Sequence, residues 1–206
     1  MNESQFIQTI LRNRVNREIL ARIPALELPD IWLVSGCLFQ TVWNVRAGRH
    51  PGEGIRDYDL FYFDASDVSW EAEDRAIKRA AHLFADLGET IELRNQARAH
   101  LWHPAKFNVP YPALSRATDA IDRFLLYTAQ VGVRPHTSGL EVYAPHGFDD
   151  IAAMILRPNT FTPNFRADLY ETKAQRWKAR WPELTVIPAR FRLCKEFADV
   201  PVPPQE

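Results

Sequence analysis

The amino-acid sequence predicts an α+β fold of the α/β type, in which helices flank a central mixed sheet and a helical part follows at the C-terminal end. Segments of helical periodicity alternate with short strand-like segments over the first 101 residues. The chain has 206 residues, of which 46% are hydrophobic, and its twelve Phe and six Trp supply bulky core material. We expect one domain over residues 1–160 and a helical extension packed on it over residues 161–206.

The first elements follow from apolar spacing and from proline. Apolar side chains recur at helical spacing over residues 3–22, which predicts one amphipathic helix. Pro24 and Pro29 end that pattern, and the short apolar run 31–34 is typical of a buried strand. A second helix is expected over residues 37–47.

The next elements surround a glycine-rich loop. Turn residues are dense over residues 48–54, and the aromatic and apolar segment 55–63 then favours a strand. Acidic residues in a first turn, an apolar stripe and Gly88 as C-cap predict a helix over residues 70–87.

Residues 90–101 alternate between apolar and polar side chains, which predicts one long strand. Its polar face would carry Glu92, Arg94, Arg98 and His100. Two interpretations stay open for Arg98 and His100: Arg98 could neutralise the charge of a triphosphate or pair structurally with the acids, and His100 could contact a nucleotide or form ordinary hydrogen bonds.

The second half of the chain is less regular. Prolines predict a loop over residues 104–112, followed by a helix over 118–131 and a strand over 140–143, and the chain turns helical again after residue 159. The proline-rich tail, from about residue 198, is expected to fray.

A basic segment lies in the helical extension. Residues 166–195 contain eight Lys or Arg and three acids, an excess of 8 − 3 = 5 positive charges. Two interpretations stay open: a solvated helix face with Trp177 and Trp181 packed beneath it, or a basic surface for tRNA or a phosphorylated acceptor.

Composition excludes several classes of protein. The formal net charge is −1, so bulk binding to nucleic acid or an anionic membrane is not expected. Cys37 and Cys194 are too few and too far apart for a disulfide framework or a zinc cluster. No apolar run is long enough to span a bilayer, and residues 1–5 show no secretory signal. We expect a cytoplasmic protein.

The strongest candidates for chemistry are Asp57 and Asp59. Side chains two apart on a strand point to one side, so the two carboxylates would lie together and repel each other unless a cation lies between them. Mg²⁺, or Mn²⁺, binds such oxygens and keeps positions open for substrate phosphates. The alternative interpretation is an ordinary turn or capping feature.

Two further features favour phosphate chemistry. Ser35, Gly36 and Cys37 lie where the first strand meets a helix, so backbone N–H groups could meet phosphate oxygens there. Glu92, on a later strand, supplies a third candidate acid. The order is therefore a strand, a glycine turn, a helix, an Asp-x-Asp strand, a helix and an acidic strand.

This order resembles the DNA polymerase beta-type nucleotidyltransferase superfamily, and the chain is more closely similar to a bacterial family of nucleotidyltransferase-like proteins. The segments that carry the closer resemblance are residues 36–44, 57–64, 95–102, 143–150 and 157–159. The superfamily turn is usually Gly-Gly or Gly-Ser, whereas here Cys37 follows Gly36, and the segment from Gly36 to Asp57 is longer than usual.

The resemblance implies roles for individual residues. Gly36 would be the glycine of the phosphate turn, and Asp57, Asp59 and Glu92 would be catalytic residues and metal ligands. Glu92, the third carboxylate, could also act as general base on the acceptor hydroxyl. Ser35, Cys37, Arg94, Arg98 and His100 complete the expected nucleotide-binding set. The implied activity is metal-dependent transfer of a nucleoside monophosphate from a nucleoside triphosphate to a small-molecule, protein or RNA acceptor, with release of pyrophosphate. Two alternatives stay open: an inactive nucleotide-binding or partner-binding module, such as half of a toxin and antitoxin pair, and a metal-dependent phosphohydrolase.

Overall fold

The computed structural model describes residues 1–189, so Cys194 and the proline-rich tail lie outside the described residues. The helices of this range, in chain order, are α1 Glu3–Ile10, α2 Arg14–Arg22, α3 Gly36–Arg46, α4 Trp70–Leu83, α5 Ala99–Phe107, α6 Ala117–Ile121, α7 Asp149–Ala152 and α8 Ala167–Arg180. The strands are β1 Trp32–Val34, β2 Tyr58–Tyr62, β3 Ile91–Asn95, β4 Gly132–His136, β5 Gly139–Tyr143, β6 Ile155–Leu156 and β7 Thr185–Val186.

The predicted mixed sheet is confirmed. Five strands lie in the order β3-β2-β1-β4-β5, and only the β2–β3 pair is parallel among them. A parallel pair needs a crossover connection, and α4 supplies it between β2 and β3. Strands β6 and β7 form a separate parallel pair.

Helix α3 is buried on all sides, because every side chain from Cys37 to Asn44 is buried. The Trp43 ring lies 4.7 Å from Phe39 and 5.3 Å from Trp181, which follows α8. The Trp181 indole N–H donates to Asn44 Oδ1 at 3.1 Å. Aromatic pairs of this kind each add about 1 kcal/mol beyond area burial. The C-terminal helix is thereby fixed to α3, and the burial of Trp177 and Trp181 agrees with the interpretation that they pack beneath the basic segment.

The single helix predicted over residues 3–22 is wrong, because the chain breaks at Leu11–Asn13 into α1 and α2. The Asn13 side chain is buried and accepts from the Val15 N–H, which caps α2. It also donates to Thr41 Oγ1 at 3.1 Å and Tyr58 Oη at 3.2 Å. These tertiary bonds, which periodicity does not reveal, fix the break.

The long strand predicted over residues 90–101 is also wrong. Strand β3 ends at Asn95, whose side chain accepts from the Ala97 N–H and starts a 3-10 turn that leads into α5. Arg98 and His100 therefore leave the strand face that carries Glu92. Helix α5 continues through Pro104, where the sequence predicts a loop.

The helix predicted over residues 118–131 is wrong beyond Ile121, where α6 ends. The Asn159 amide donates to the carbonyls of Asp122 and Phe124, and the Gln130 amide donates to Asp122. Side chains thus satisfy carbonyls that a longer helix would use. The sequence also missed β4, whose Gly and Pro residues have low strand propensity.

Five further predicted elements are confirmed, with each end within four residues of its predicted position: β1, α3, β2, α4 and β5. Ser69 caps α4 by accepting from the Ala72 N–H. The predicted C-cap Gly88, with φ 70°, instead ends the 3-10 turn that follows α4, whose own C-cap is Phe84. Within residues 1–189, no helix has the length and apolar character needed to cross a membrane.

Candidate active site

The turn between β1 and α3 has an unusual backbone. Ser35 has φ 59° and ψ −115°, a region that residues with a side chain rarely adopt, and its N–H donates to Val131 O at 2.8 Å. Its side chain does not cap α3, which begins at Gly36. Leu38 N–H donates to Ser35 O at 3.0 Å, and the N–H groups of Gly36 and Cys37 precede this first bond, so they form the polar, positive end of α3.

Asp57 and Asp59 lie beside this turn. Tyr58, Leu60 and Tyr62 point into the core, so Asp59 points to the opposite face of the sheet, and Asp57 directly precedes β2. Both carboxylates line the same cavity as Ser35 and Gly36. Within residues 1–189, neither carboxylate has an ion pair or a side-chain hydrogen bond. The structure brings together the acid pair and the turn that the sequence singled out.

The environment of Asp59 opposes its charge. Burial, and then the neighbouring charges of Asp57 and Glu92, raise the pKa of Asp59 to about 7, while Lys173 and Arg94 act in the opposite direction. A pair of close carboxylates with no partner in the described chain is the donor set that a hard divalent cation stabilises. Asp57 and Asp59 therefore fit Mg²⁺ or Mn²⁺ as ligands.

The position of Glu92 supports its predicted role less strongly than the positions of Asp57 and Asp59 support theirs. It lies in register with Asp59 across the parallel β2–β3 pair, so the two residues share one face of the sheet. Its side chain is exposed, and it does not line the cavity. No group of three or more His, Cys, Asp or Glu side chains in residues 1–189 is arranged to hold a metal ion. Glu92 as third acid and third ligand stays a prediction.

The cavity has a volume of about 440 Å³ and two chemically different ends. Beside the acids and the start of α3, its polar wall carries Gln40, Arg94, Lys173 and Arg176. The last two lie on α8, which the tryptophans fix against α3. Cations thus surround the acid pair, as a site for a phosphorylated ligand requires.

The other end of the cavity is aromatic. Tyr111 lies 4.1 Å from the His103 ring, and the Arg123 guanidinium carbon lies 4.7 Å from the Tyr111 ring centroid. Phe61 and Phe124 stack at 5.6 Å. All five residues line the cavity, together with Trp102 and Phe107. Aromatic faces of this kind bind nucleobases by stacking.

Three of the predicted nucleotide-binding residues line the cavity: Ser35, Gly36 and Arg94. Cys37 does not, because its side chain is fully buried and its thiol faces Val34 O at 3.6 Å. Burial, followed by the charges of Asp59 and Asp57, holds the pKa of the Cys37 thiol well above its usual value. Cys37 could contribute only its backbone N–H.

Arg98 and His100, the other two predicted nucleotide-binding residues, do not line the cavity. The Arg98 guanidinium donates to the Glu73 carboxylate and, through Nε, to Val68 O at 2.8 Å. His100 Nδ1 is buried without a hydrogen-bond partner in the described chain. Neither residue lies on the predicted polar strand face, because a 3-10 turn and α5 replace the end of that strand.

Sequence reasoning missed several residues of the cavity wall: Gln40, Trp102, His103, Tyr111, Arg123, Lys173 and Arg176. For Lys173 and Arg176 a signal existed, since both belong to the basic segment 166–195. The aromatic residues come from α5 and the segment after it, where the sequence predicts mostly loop.

Comparison with known proteins agrees with this geometry. The family model described as Nucleotidyltransferase matches residues 21–186. A protein whose NMR structure reveals a CCA-adding enzyme head domain superposes with a TM-score of 0.73 and 26% sequence identity, covering 91% of this chain and 96% of that chain. No curated protein sequence matches the chain. The sandwich of sheet and helices is thus nucleotidyltransferase-like, and the chain belongs to a nucleotidyltransferase family.

Proposed function

We propose that the chain is a metal-dependent nucleotidyltransferase that moves a nucleoside monophosphate from a nucleoside triphosphate to an acceptor and releases pyrophosphate. One observation carries the proposal. Asp57 and Asp59, without partners among residues 1–189, share a cavity with the positive end of α3 and with Lys173. The family supports nucleotidyl transfer in general. The metal and the residue roles are what the proposal adds.

Asp57 and Asp59 would hold Mg²⁺ or Mn²⁺ through their oxygens. When bound, the metal supplies charge stabilisation at the transferring phosphate and at the leaving oxygen. The N–H groups of Gly36 and Cys37 at the start of α3 would donate to phosphate oxygens, and Lys173 and Arg94 would neutralise further charge. The phosphates thus lie at the polar end of the cavity.

The base would lie at the aromatic end, between the walls that contain Phe124 and Tyr111. This placement extends the nucleotide along the cavity from the base to the α-phosphate. Closing aromatic walls around the base would also exclude water, which strengthens the electrostatic interactions at the polar end.

In the reaction, an acceptor oxygen attacks the α-phosphorus, and the bond from that phosphorus to the bridging oxygen of the β-phosphate breaks. The nucleoside monophosphate is then joined to the acceptor, and pyrophosphate leaves with the electron pair of the broken bond. The acceptor proton passes to a base. Glu92 is the candidate, because it is in register with Asp59 at the sheet face.

The test is calorimetric titration of the purified protein with each of the four nucleoside triphosphates, with and without Mg²⁺ or Mn²⁺, together with an assay of pyrophosphate release over a broad acceptor screen. Metal-dependent binding and release, both lost in the Asp57→Ala and Asp59→Ala double variant, are expected. Absence of nucleotide binding in both proteins would contradict the proposal. Phosphate as product would indicate a phosphohydrolase instead.

A second candidate is a nucleotide-binding module without transferase activity. The exposed position of Glu92, outside the cavity, favours it. Metal-dependent nucleotide binding without pyrophosphate release, across the same acceptor screen, would select this candidate.

A further inference from the structure

A second cavity is also lined by Asp57. Its volume is about 300 Å³, and it shares Gln40, Asp57, Arg176 and Trp177 with the larger cavity. The two cavities therefore meet at Asp57, one member of the acid pair. A group bound in the smaller cavity would lie next to the position proposed for the transferring phosphate.

The smaller cavity has a strong excess of positive charge. Arg56, Arg176 and Arg180 line it, and Asp57 is the one acid among its lining residues. No carboxylate within residues 1–189 forms an ion pair with any of these three arginines. The three positive charges repel one another when the cavity is empty. An anion bound in the cavity would reduce this repulsion.

The protein holds the arginines in place without neutralising them. Arg180 Nη1 donates to Gly54 O at 3.0 Å, and its guanidinium carbon lies 5.4 Å from the Trp181 ring centroid. The guanidinium carbon of Arg176 lies 5.5 Å from the Trp177 ring centroid. Arg176 and Arg180 are four residues apart on α8, so they face the same side. Arginines stacked on aromatic rings keep N–H groups available for oxygens.

Two other cations of the basic segment, Lys178 and Arg166, have partners within the protein. Lys178 donates to the carbonyls of Pro182 and Leu184, and Arg166 pairs with Asp168. Lys173 lines only the larger cavity. Up to residue 189, the cations of the basic segment therefore separate into residues with structural partners and residues that face the two cavities.

We propose that the smaller cavity is a subsite for a phosphate group, bound by Arg56, Arg176 and Arg180 beside Asp57. The inference rests on the proposed function for its position in the reaction. The bound phosphate has two possible sources, either the β- and γ-phosphates of the donor nucleotide or a phosphate carried by the acceptor. Planar guanidinium groups bind either through paired hydrogen bonds.

The test uses inorganic pyrophosphate as probe, titrated calorimetrically at low ionic strength. Arg56 is exposed and has no hydrogen bond or ion pair in residues 1–189, so Arg56→Gln is expected to fold normally. We expect Arg56→Gln to weaken pyrophosphate binding about tenfold and Arg56→Lys to weaken it less. Arg180→Gln is a second variant of the same site.

The matched control is Arg46→Gln, which removes one charge from an exposed arginine that lines neither cavity. Circular dichroism and thermal unfolding establish that each variant is folded. Pyrophosphate affinities of Arg56→Gln and Arg180→Gln equal to that of Arg46→Gln would overturn the proposal.

Two further titrations distinguish the sources. If the donor supplies the phosphate, Arg56→Gln weakens binding of a non-hydrolysable triphosphate and leaves a nucleoside monophosphate unaffected. If the acceptor supplies it, triphosphate binding is unchanged, and a monophosphate probe binds more weakly to the triphosphate-saturated variant than to the saturated wild type. Phosphate binding that depends on these arginines in a protein that releases no pyrophosphate would leave the subsite standing while the proposed function fails.

Discussion

The Arg98 guanidinium donates to the Glu73 carboxylate, and the two side chains are only 11% and 8% exposed. Glu73 Oε1 also accepts from the Asn95 N–H at 2.8 Å, which ties α4 to the end of β3. The pair does not line the cavity, which favours a role in stabilising the crossover over a contact with a nucleotide.

We therefore expect Arg98→Ala to lower the free energy of unfolding by about 3 kcal/mol, because it leaves the Glu73 charge buried and unpaired. Urea denaturation measures this change. Nucleotide affinity of the folded variant should match the wild type, with Arg94→Ala as the comparison that weakens it. Lower nucleotide affinity in Arg98→Ala at unchanged stability would support the sequence prediction over the structure.

Replacing Ser35 by glycine should stabilise the protein. The Ser35 backbone, at φ 59° and ψ −115°, is accessible to glycine at lower energy. We expect Ser35→Gly to raise the free energy of unfolding by about 1 kcal/mol, with Ser35→Ala as the control that keeps the strain. Thermal unfolding of both variants measures the difference, and equal stabilities would show that the turn is unstrained.

Asp59 gives the protein a pH-dependent stability. Because its pKa is raised from 3.8 to about 7 in the folded state, the folded protein holds a proton that the unfolded chain has lost between these values. Stability from this group therefore falls as the pH rises through that interval and stays low above it.

Asp59→Asn should remove this loss and stabilise the metal-free protein near pH 8 by an amount on the order of 2 kcal/mol. Urea unfolding between about pH 4 and pH 8 follows the difference, which should grow with pH. Adding Mg²⁺ should stabilise the wild type and not the variant. If the difference in stability between Asp59→Asn and the wild type stayed constant with pH, the pKa of Asp59 would not be raised in the folded protein.

The aromatic end of the cavity should bind the base. Tyr111 contacts both His103 and Arg123, so Tyr111→Leu removes a stacking face while keeping an apolar side chain. We expect it to weaken nucleoside triphosphate binding by about 1 to 2 kcal/mol and to leave tripolyphosphate binding unchanged. If calorimetry showed that the affinities for both ligands fall equally, the base would not stack on Tyr111.

Much of the site could be predicted because its signals are local. Asp57 and Asp59 share a side through the two-residue period of a strand, and the turn at Ser35 follows a short apolar run. The in-register position of Glu92 is consistent with the predicted order of strands. These features depend on spacing within a few residues, which the sequence displays directly.

What the sequence did not reveal depends on distant contacts. Asn95 ends β3 with its own side chain, and this sends Arg98 into a pair with Glu73 instead of toward the cavity. Lys173 enters the cavity only because Trp177 and Trp181 dock α8 on α3. Alternation and charge runs carry no information about such docking, so tertiary packing overrides them.

The central claim is that Asp57 and Asp59 hold a divalent cation together with the nucleotide. The most direct measurement is Mn²⁺ binding, followed by electron paramagnetic resonance in the presence of a non-hydrolysable nucleoside triphosphate. It compares wild type with Asp57→Asn, Asp59→Asn and the control Arg46→Gln. The account predicts bound Mn²⁺ in the wild type and the control, and its loss in both aspartate variants. Equal Mn²⁺ binding in all four proteins would contradict it.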